Sequence, residues 1–189
     1  MTDDSSGFQA GQTGLVVLIP EAEPVVRTWR ERLDPAARAG VPAHVTVVFP
    51  FLHADLIDDG TRAALGELAA RHPAFDVRFE RCGRFPGVLY LAPTPDTPFR
   101  RLTDAVVERW PEAPPYGGKY EPVPHLTVGQ VKDEAALDEA EAGIGPSLPV
   151  TVHVASVDLV VFSGTEWRLQ ASFPLGQPGV TGQLDGTAR

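Results

Sequence analysis

Two short stretches of this chain carry the same reactive groups at the same spacing. His44-Val45-Thr46-Val47 and His125-Leu126-Thr127-Val128 each place an imidazole and, two residues on, a hydroxyl, with an apolar residue after both. Imidazole takes and gives protons near neutral pH. Two of them facing one substrate make a general base and a general acid, each typically worth ~10²–10⁴ in rate. Threonine hydroxyls beside them are small neutral donors for the non-bridging oxygens of a monoanionic phosphodiester, whose developing charge needs placed hydrogen bonds. The set suits in-line displacement at phosphorus, and a strained 2′,3′-cyclic phosphate opens by such chemistry without a metal. With five histidines in 189 residues, composition alone yields roughly 0.06 of a match to this template. Two occur.

Such chemistry needs both motifs on strands that meet. Val, Thr and Phe favour strands, and alternation puts His44 and Thr46 on one face with Val45 and Val47 on the other. His125 and Thr127 stand likewise against Leu126 and Val128. The same parity sends Phe49 coreward with Val47, as a packing residue alongside Phe51.

The surrounding elements repeat. Leu15–Ile19 reads as a buried strand stopped by Pro20, and Glu21–Leu33 as a helix with Val25, Val26, Trp29 and Leu33 inward. A loop from Pro35 to Pro42 leads into the first motif, followed by a helix from Asp58 or Asp59 to Arg71 and an alternating strand, Phe75–Phe85. The order restarts with Val88–Ala92, a helix from Thr97 to Trp110 capped by Asp96 or Thr97, a Pro/Gly/Tyr loop and the second motif. A short acidic helix, Asp133–Ala142, precedes strands at Val150–Phe162 and Glu166–Phe173. In the last of these Trp167, Leu169, Ala171 and Phe173 face one way.

The expected fold is α+β. It has two lobes related by a pseudo-two-fold, roughly 14–85 and 86–175 with strand exchange between them allowed, each an antiparallel sheet with outer helices around a shared cleft. Residues 1–13 and 176–189 read as loose tails.

Composition narrows the partners. Net charge is −9 and no basic stripe is present, so an extended nucleic-acid groove is not expected, whereas a nucleotide or an RNA terminus fits a local pocket. An acidic N-terminus without signal-peptide order, a single cysteine and the lack of an eighteen-residue apolar run point to the cytoplasm and to no membrane span. Two histidines without a spaced third ligand do not make a zinc set, and no cofactor is implied. His53, His72 and His153 read as surface residues, and Cys82 as strand packing rather than a nucleophile.

The paired motifs resemble the signature of the two-histidine (2H) phosphoesterase superfamily, which includes 2′-5′ RNA ligase-like proteins and 2′,3′-cyclic nucleotide phosphodiesterases. The resemblance spans residues 14–175 and extends to Val88-Leu89-Tyr90-Leu91-Ala92-Pro93 and Pro114-Pro115-Tyr116-Gly117-Gly118. It implies a bilobal fold and metal-independent catalysis by His44, Thr46, His125 and Thr127. Many relatives carry a basic residue soon after the second motif, where this chain has Gly129-Gln130-Val131-Lys132. Gln130 or Lys132 is the candidate replacement. Tyr116, Lys119 and Tyr120, on the preceding loop, are candidates to cover or stack on a base. The expected activity is opening of a 2′,3′-cyclic phosphate on an RNA end or nucleotide, with 2′-5′ ligation as its reverse. The alternatives are a nucleotide- or RNA-terminus-binding module with little catalysis, and a hydrolase of another cyclic phosphodiester such as ADP-ribose 1″,2″-cyclic phosphate.

Overall fold

The computed structural model describes residues 7–177. Strand β1 (Thr13–Leu18) passes through a 3-10 turn into helices α1 (Glu23–Leu33) and α2 (Pro35–Arg38), then β2 (His44–Val48), α3 (Asp59–Ala70) and β3 (Phe75–Phe85). The order restarts with β4 (Val88–Thr94), α4 (Thr97–Arg109), β5 (Leu126–Gln130) and α5 (Glu134–Ile144), and ends with β6 (Val150–Val154), β7 (Ser156–Phe162) and β8 (Trp167–Pro174). Helices start where a side chain satisfies an orphan N–H: Asp34 accepts from Ala36, Asp58 from Thr61 and Asp133 from Ala136. Asp96 occupies the equivalent position before α4 without capping it, and its carboxylate instead takes the Arg100 Nε hydrogen at 2.8 Å. Among the described residues, no helix is long and apolar enough to cross a membrane.

The strands form two four-stranded antiparallel sheets, ordered β2-β1-β7-β8 and β5-β4-β3-β6. Each half of the chain therefore contributes to both sheets. β3 pairs with β4 and β6, while β7 from the second half lies beside β1 from the first. Sequence alternation had Val150–Phe162 as one strand. It breaks at Ala155, and its two parts enter different sheets. Alternation reports which face is apolar and says nothing about which strand lies alongside.

Each motif strand is the edge of its sheet, and the two edges meet. Helix α1 packs on β5 and α4 on β2, so each motif is covered by a helix from the other half. One continuous core joins the sheets through Val17, Val45, Phe79, Leu91, Leu126 and Leu159, all at most 1% exposed, each worth roughly 1.5–3 kcal/mol on burial. A smaller cluster (Val16, Val41, Val160, Phe162 and Trp167) lies on the opposite face of the first sheet.

Both motif strands carry the same bulge. Leu15 pairs with Val48 and Val16 with Thr46, leaving Val47 as the extra residue. Leu89 pairs with Gly129 and Tyr90 with Thr127, leaving Val128. A bulge flips the alternation beyond it. Val47 and Val48 are both buried, as are Val128 and Gly129, and the next residues, Phe49 and Gln130, emerge on the histidine face. The expected coreward Phe49 is thus corrected. A further bulge, at Gln170, separates Trp167 from Phe173: Trp167 joins the small cluster, Phe173 the main core, and Leu169 is 55% exposed.

Other expectations shift at element ends. The loop from Pro35 to Pro42 contains α2, because Asp34 caps a helix that opens on proline. β4 runs on through Pro93 to Thr94. The supposed N-terminal tail is built in from Phe8 onward: Phe8 packs on Phe49 and Trp167, Gly11 donates to the Phe162 carbonyl, and Thr13 opens β1. Residues 1–6 lie outside the described residues. At the other end, Gly176 exchanges backbone hydrogen bonds with His72 and Ala74, and 178–189 lie outside the description.

Candidate active site

Where the motif edges meet, the first sheet's outer face opens into a cleft of about 400 Å³. His44, Thr46, His125 and Thr127 all line it, together with Tyr116 and Gln130. Each of the four motif side chains is half-buried on a strand whose next residue is in the core. Exposed Lys119 and Lys132 are not among the lining residues, and Tyr120 is 72% exposed.

The two imidazoles are held alike. His44 Nδ1 lies 2.8 Å from the Pro42 carbonyl and His125 Nδ1 lies 2.6 Å from the Val123 carbonyl. A carbonyl only accepts, so Nδ1 carries the hydrogen in both rings, and Nε2 is the atom left to exchange a proton. The device is local, each ring bonding the carbonyl two residues upstream.

Their electrostatics differ. Burial and the nearby Arg30 guanidinium depress His44 from 6.5 to about 4, against the Pro42 hydrogen bond and Asp34, which raise it. Burial also lowers His125, opposed by its bond to Val123. Arg30, only 2% exposed, projects from α1 on the same stripe as Val26 and Leu33. That an arginine occupied a helix's apolar stripe was the available signal, and reading only the apolar residues missed it.

The walls differ too. On the first-motif side Phe8, Phe49 and Trp167 meet edge to face, with Phe8 and Phe49 each within 6 Å of the Trp167 centroid. Such geometry suits the ring quadrupoles. Trp167 Nε1 is buried and, among the described residues, has no hydrogen-bond partner. Tyr116 enters this side on a loop with left-handed backbone (φ 53°), its N–H donating to the Phe49 carbonyl at 2.7 Å. Burial raises its phenol pKa. On the second-motif side Phe85 stacks on Tyr90 at 4.5 Å, and both rings meet the edge of His125. Tyr90 lies across Gly83, where a Cβ would come within 2.4 Å of its ring.

The remaining titratable candidates stand apart from the cleft. His53 and His153 are exposed and contact Asp55 and Asp76. His72, expected at the surface, is half-buried and donates to the Leu68 carbonyl at the end of α3. Cys82 packs against the core, and burial, reinforced by Glu141, pushes its thiol up to about 11.

With this geometry in place, similarity to known proteins can be set beside it. No curated protein matches the chain in sequence. Among solved structures, E. coli LigT complexed with 3′-AMP superimposes with a TM-score of 0.57 at 17% identity, covering 89% of this chain and 100% of LigT. The NADP+ complex of LigT gives 0.54 at 18% identity, covering 90% and 100%. TT0787 of Thermus thermophilus gives 0.56 at 22% identity, covering 89% and 100%. Likeness at such identities establishes the fold. The sequence model of the 2′-5′ RNA ligase superfamily matches residues 19–166, a span that holds both motifs, both bulged strands and Arg30, and the chain belongs to that superfamily.

Proposed function

We propose that this protein is a metal-independent phosphodiesterase that opens a 2′,3′-cyclic phosphate on an RNA terminus or a nucleotide. The observation that carries the reading is the convergence of two histidines, both with Nδ1 tied to backbone and Nε2 left over, on one cleft that also holds two threonine hydroxyls. His44, kept unprotonated by burial and Arg30, acts as the base: its Nε2 takes a proton from water as the water oxygen bonds to phosphorus. His125, away from Arg30's influence and facing a bound anion that favours its charged form, acts as the acid. It delivers a proton to the ribose oxygen as that P–O bond breaks. Thr46 and Thr127 donate to the non-bridging oxygens, where charge grows. Products are a phosphomonoester and a free ribose hydroxyl, and solvent exchange returns both histidines to their starting forms. With a 5′-hydroxyl in place of water as the attacking group and the ribose 3′-oxygen leaving, the same groups form a 2′-5′ bond.

The aromatic side suits a planar base. Phe8, Phe49 and Tyr116 supply stacking surface, worth roughly 1–3 kcal/mol per base, and the buried Trp167 backs Phe8 and Phe49. E. coli LigT is described with 3′-AMP and with NADP+, ligands of the class a cleft of about 400 Å³ suits here.

Turnover of 2′,3′-cyclic mononucleotides and of RNA ending in a cyclic phosphate, with chelator present, tests the reading. Activity is expected to persist with chelator and to fall at least about 10²-fold in His44→Ala and His125→Ala. Full activity in either variant sinks the proposal. Ligand-induced thermal stabilisation without turnover favours a binding module, and preference for ADP-ribose 1″,2″-cyclic phosphate favours the other hydrolase.

A further inference from the structure

Beneath the cleft floor, one buried arginine bonds both motif segments at once. Arg30 Nε donates to the Thr127 carbonyl at 3.1 Å, one terminal nitrogen donates to the Val41 carbonyl at 3.2 Å, and the other donates to Asp34 Oδ2 at 2.8 Å. Thr127 belongs to the second motif. Val41 lies three residues before His44, and Glu23, 3.8 Å from the same guanidinium, accepts the Ala43 N–H. The planar fork therefore reaches across the pseudo-two-fold and pins the edge of β5 to the segment that delivers β2. Asp34 is itself 2% exposed and lines the cleft, with its second oxygen taken by the Ala36 N–H.

We propose that Arg30 is a positioning residue with two separable tasks: its fork fixes the placement of the Thr127 strand relative to His44, and, bonded to the Val41 carbonyl three residues upstream, it sets a buried positive charge beside the segment that carries His44. The inference deepens the acid–base reading above and rests on it for its catalytic consequence. The charged and titratable groups around His44 are Arg30 from α1, Asp34 from the α1–α2 junction and His125 just before β5. Glu23 reaches the neighbourhood through its contact with Arg30 and Ala43.

Lysine cannot reach three acceptors with one planar fork but keeps the charge, whereas glutamine loses the charge. The deciding measurement is an NMR titration of the His44 ring in the full chain, which requires no substrate. Arg30→Gln is expected to raise its midpoint by at least about half a pH unit, and Arg30→Lys to leave it within a few tenths. In turnover, Arg30→Lys is expected to lower kcat about tenfold with KM changed less than about threefold, the signature of lost placement rather than lost binding. Arg30→Gln is expected, in addition, to move the acidic limb of the pH–rate profile upward. Should Arg30→Gln fail to fold, Asp34→Asn leaves the Arg30 charge without its buried counter-ion and is expected to lower the His44 midpoint instead. A His44 midpoint unmoved in the charge-removed variants overturns the electrostatic task, and an Arg30→Lys enzyme with parental kcat overturns the placement task. If the parent turns over no cyclic phosphate, the functional reading falls, while the titration still decides whether Arg30 sets the state of His44.

Discussion

The two sides of the cleft share one backbone plan and differ in nearly everything attached to it. Each is an edge strand with a histidine, a threonine two residues on and a single-residue bulge after it, and each ring donates from Nδ1 to the carbonyl two residues back. Beyond the bulge one side presents Phe49 and the other Gln130. One imidazole has a buried guanidinium among its close influences, and the other is bordered by Phe85 and Tyr90. Duplication supplies two equivalent proton carriers, and catalysis by a base and an acid needs them unequal. The environment, rather than the motif, makes the difference.

The sharpest way to break that comparison is to remove each imidazole while keeping its size. His44→Gln and His125→Gln are each expected to cost about 10²–10⁴ in kcat, but to simplify the pH profile differently. His44→Gln should abolish the acidic limb and His125→Gln the basic one, and loss of the same limb in both would mean the roles are not divided. Stability reports on His44 as well. His44 sits at about 4 in the folded chain against 6.5 unperturbed, so the unfolded chain binds its proton first. That contribution is complete above about pH 6.5 and drains away as the pH falls towards 4. His44→Gln should flatten this part of the denaturation-against-pH curve.

A second test uses the glycines that lie under a ring on each side. A Cβ on Gly83 would come within 2.4 Å of the Tyr90 ring, whereas on Gly14 it would stand 3.3 Å from Phe49. Gly83→Ala must push Tyr90 away from Phe85 and His125, at a cost of about 1–3 kcal/mol and with some loss of kcat. Gly14→Ala asks Phe49 to give only a few tenths of an ångström and should cost under about 1 kcal/mol. Thermal or denaturant melts rank them, and a reversed order would show that the first side is the more tightly packed.

How much of this was legible follows from the range over which each signal acts. Period-two alternation over five residues exposed both motifs, the α+β class and the faces of His44 and His125, because strand faces are set locally. The bulges left no mark in the first motif, where Val45, Val47 and Val48 are alike in type and only geometry singles out Val47. Gly129 was a faint mark in the second: its Cβ would press within 3.0 Å of both Leu33 and Leu137, so a close approach by α1 and α5 requires glycine there. The break at Ala155 was hidden because an edge strand of one sheet and a central strand of the other follow one another with no turn residue between them. Phe8 was overlooked because one aromatic residue in a polar stretch has no periodicity, and its partners are more than 40 residues away.

A remaining test reaches the bulge itself. If the irregularity at Val128 brings Gln130 to the position that Phe49 holds opposite, the two should respond to exchange in ways set by their surroundings rather than their backbone. Phe49→Gln removes ring contacts with Phe8 and Trp167, each worth about 0.5–1.5 kcal/mol beyond area, and sets an amide in an aromatic wall. Its melting point should fall by the equivalent of about 2 kcal/mol, with KM for a cyclic nucleotide raised. Gln130→Phe exchanges an exposed amide at the cleft, so stability should stay within about 0.5 kcal/mol of the parent. What should change is KM, by a factor of about three, because a ring there would offer stacking surface on the side that lacks it. Should Gln130→Phe instead destabilise by several kcal/mol, the side chain at 130 must point into the core, and the matching bulges would not be functionally matched.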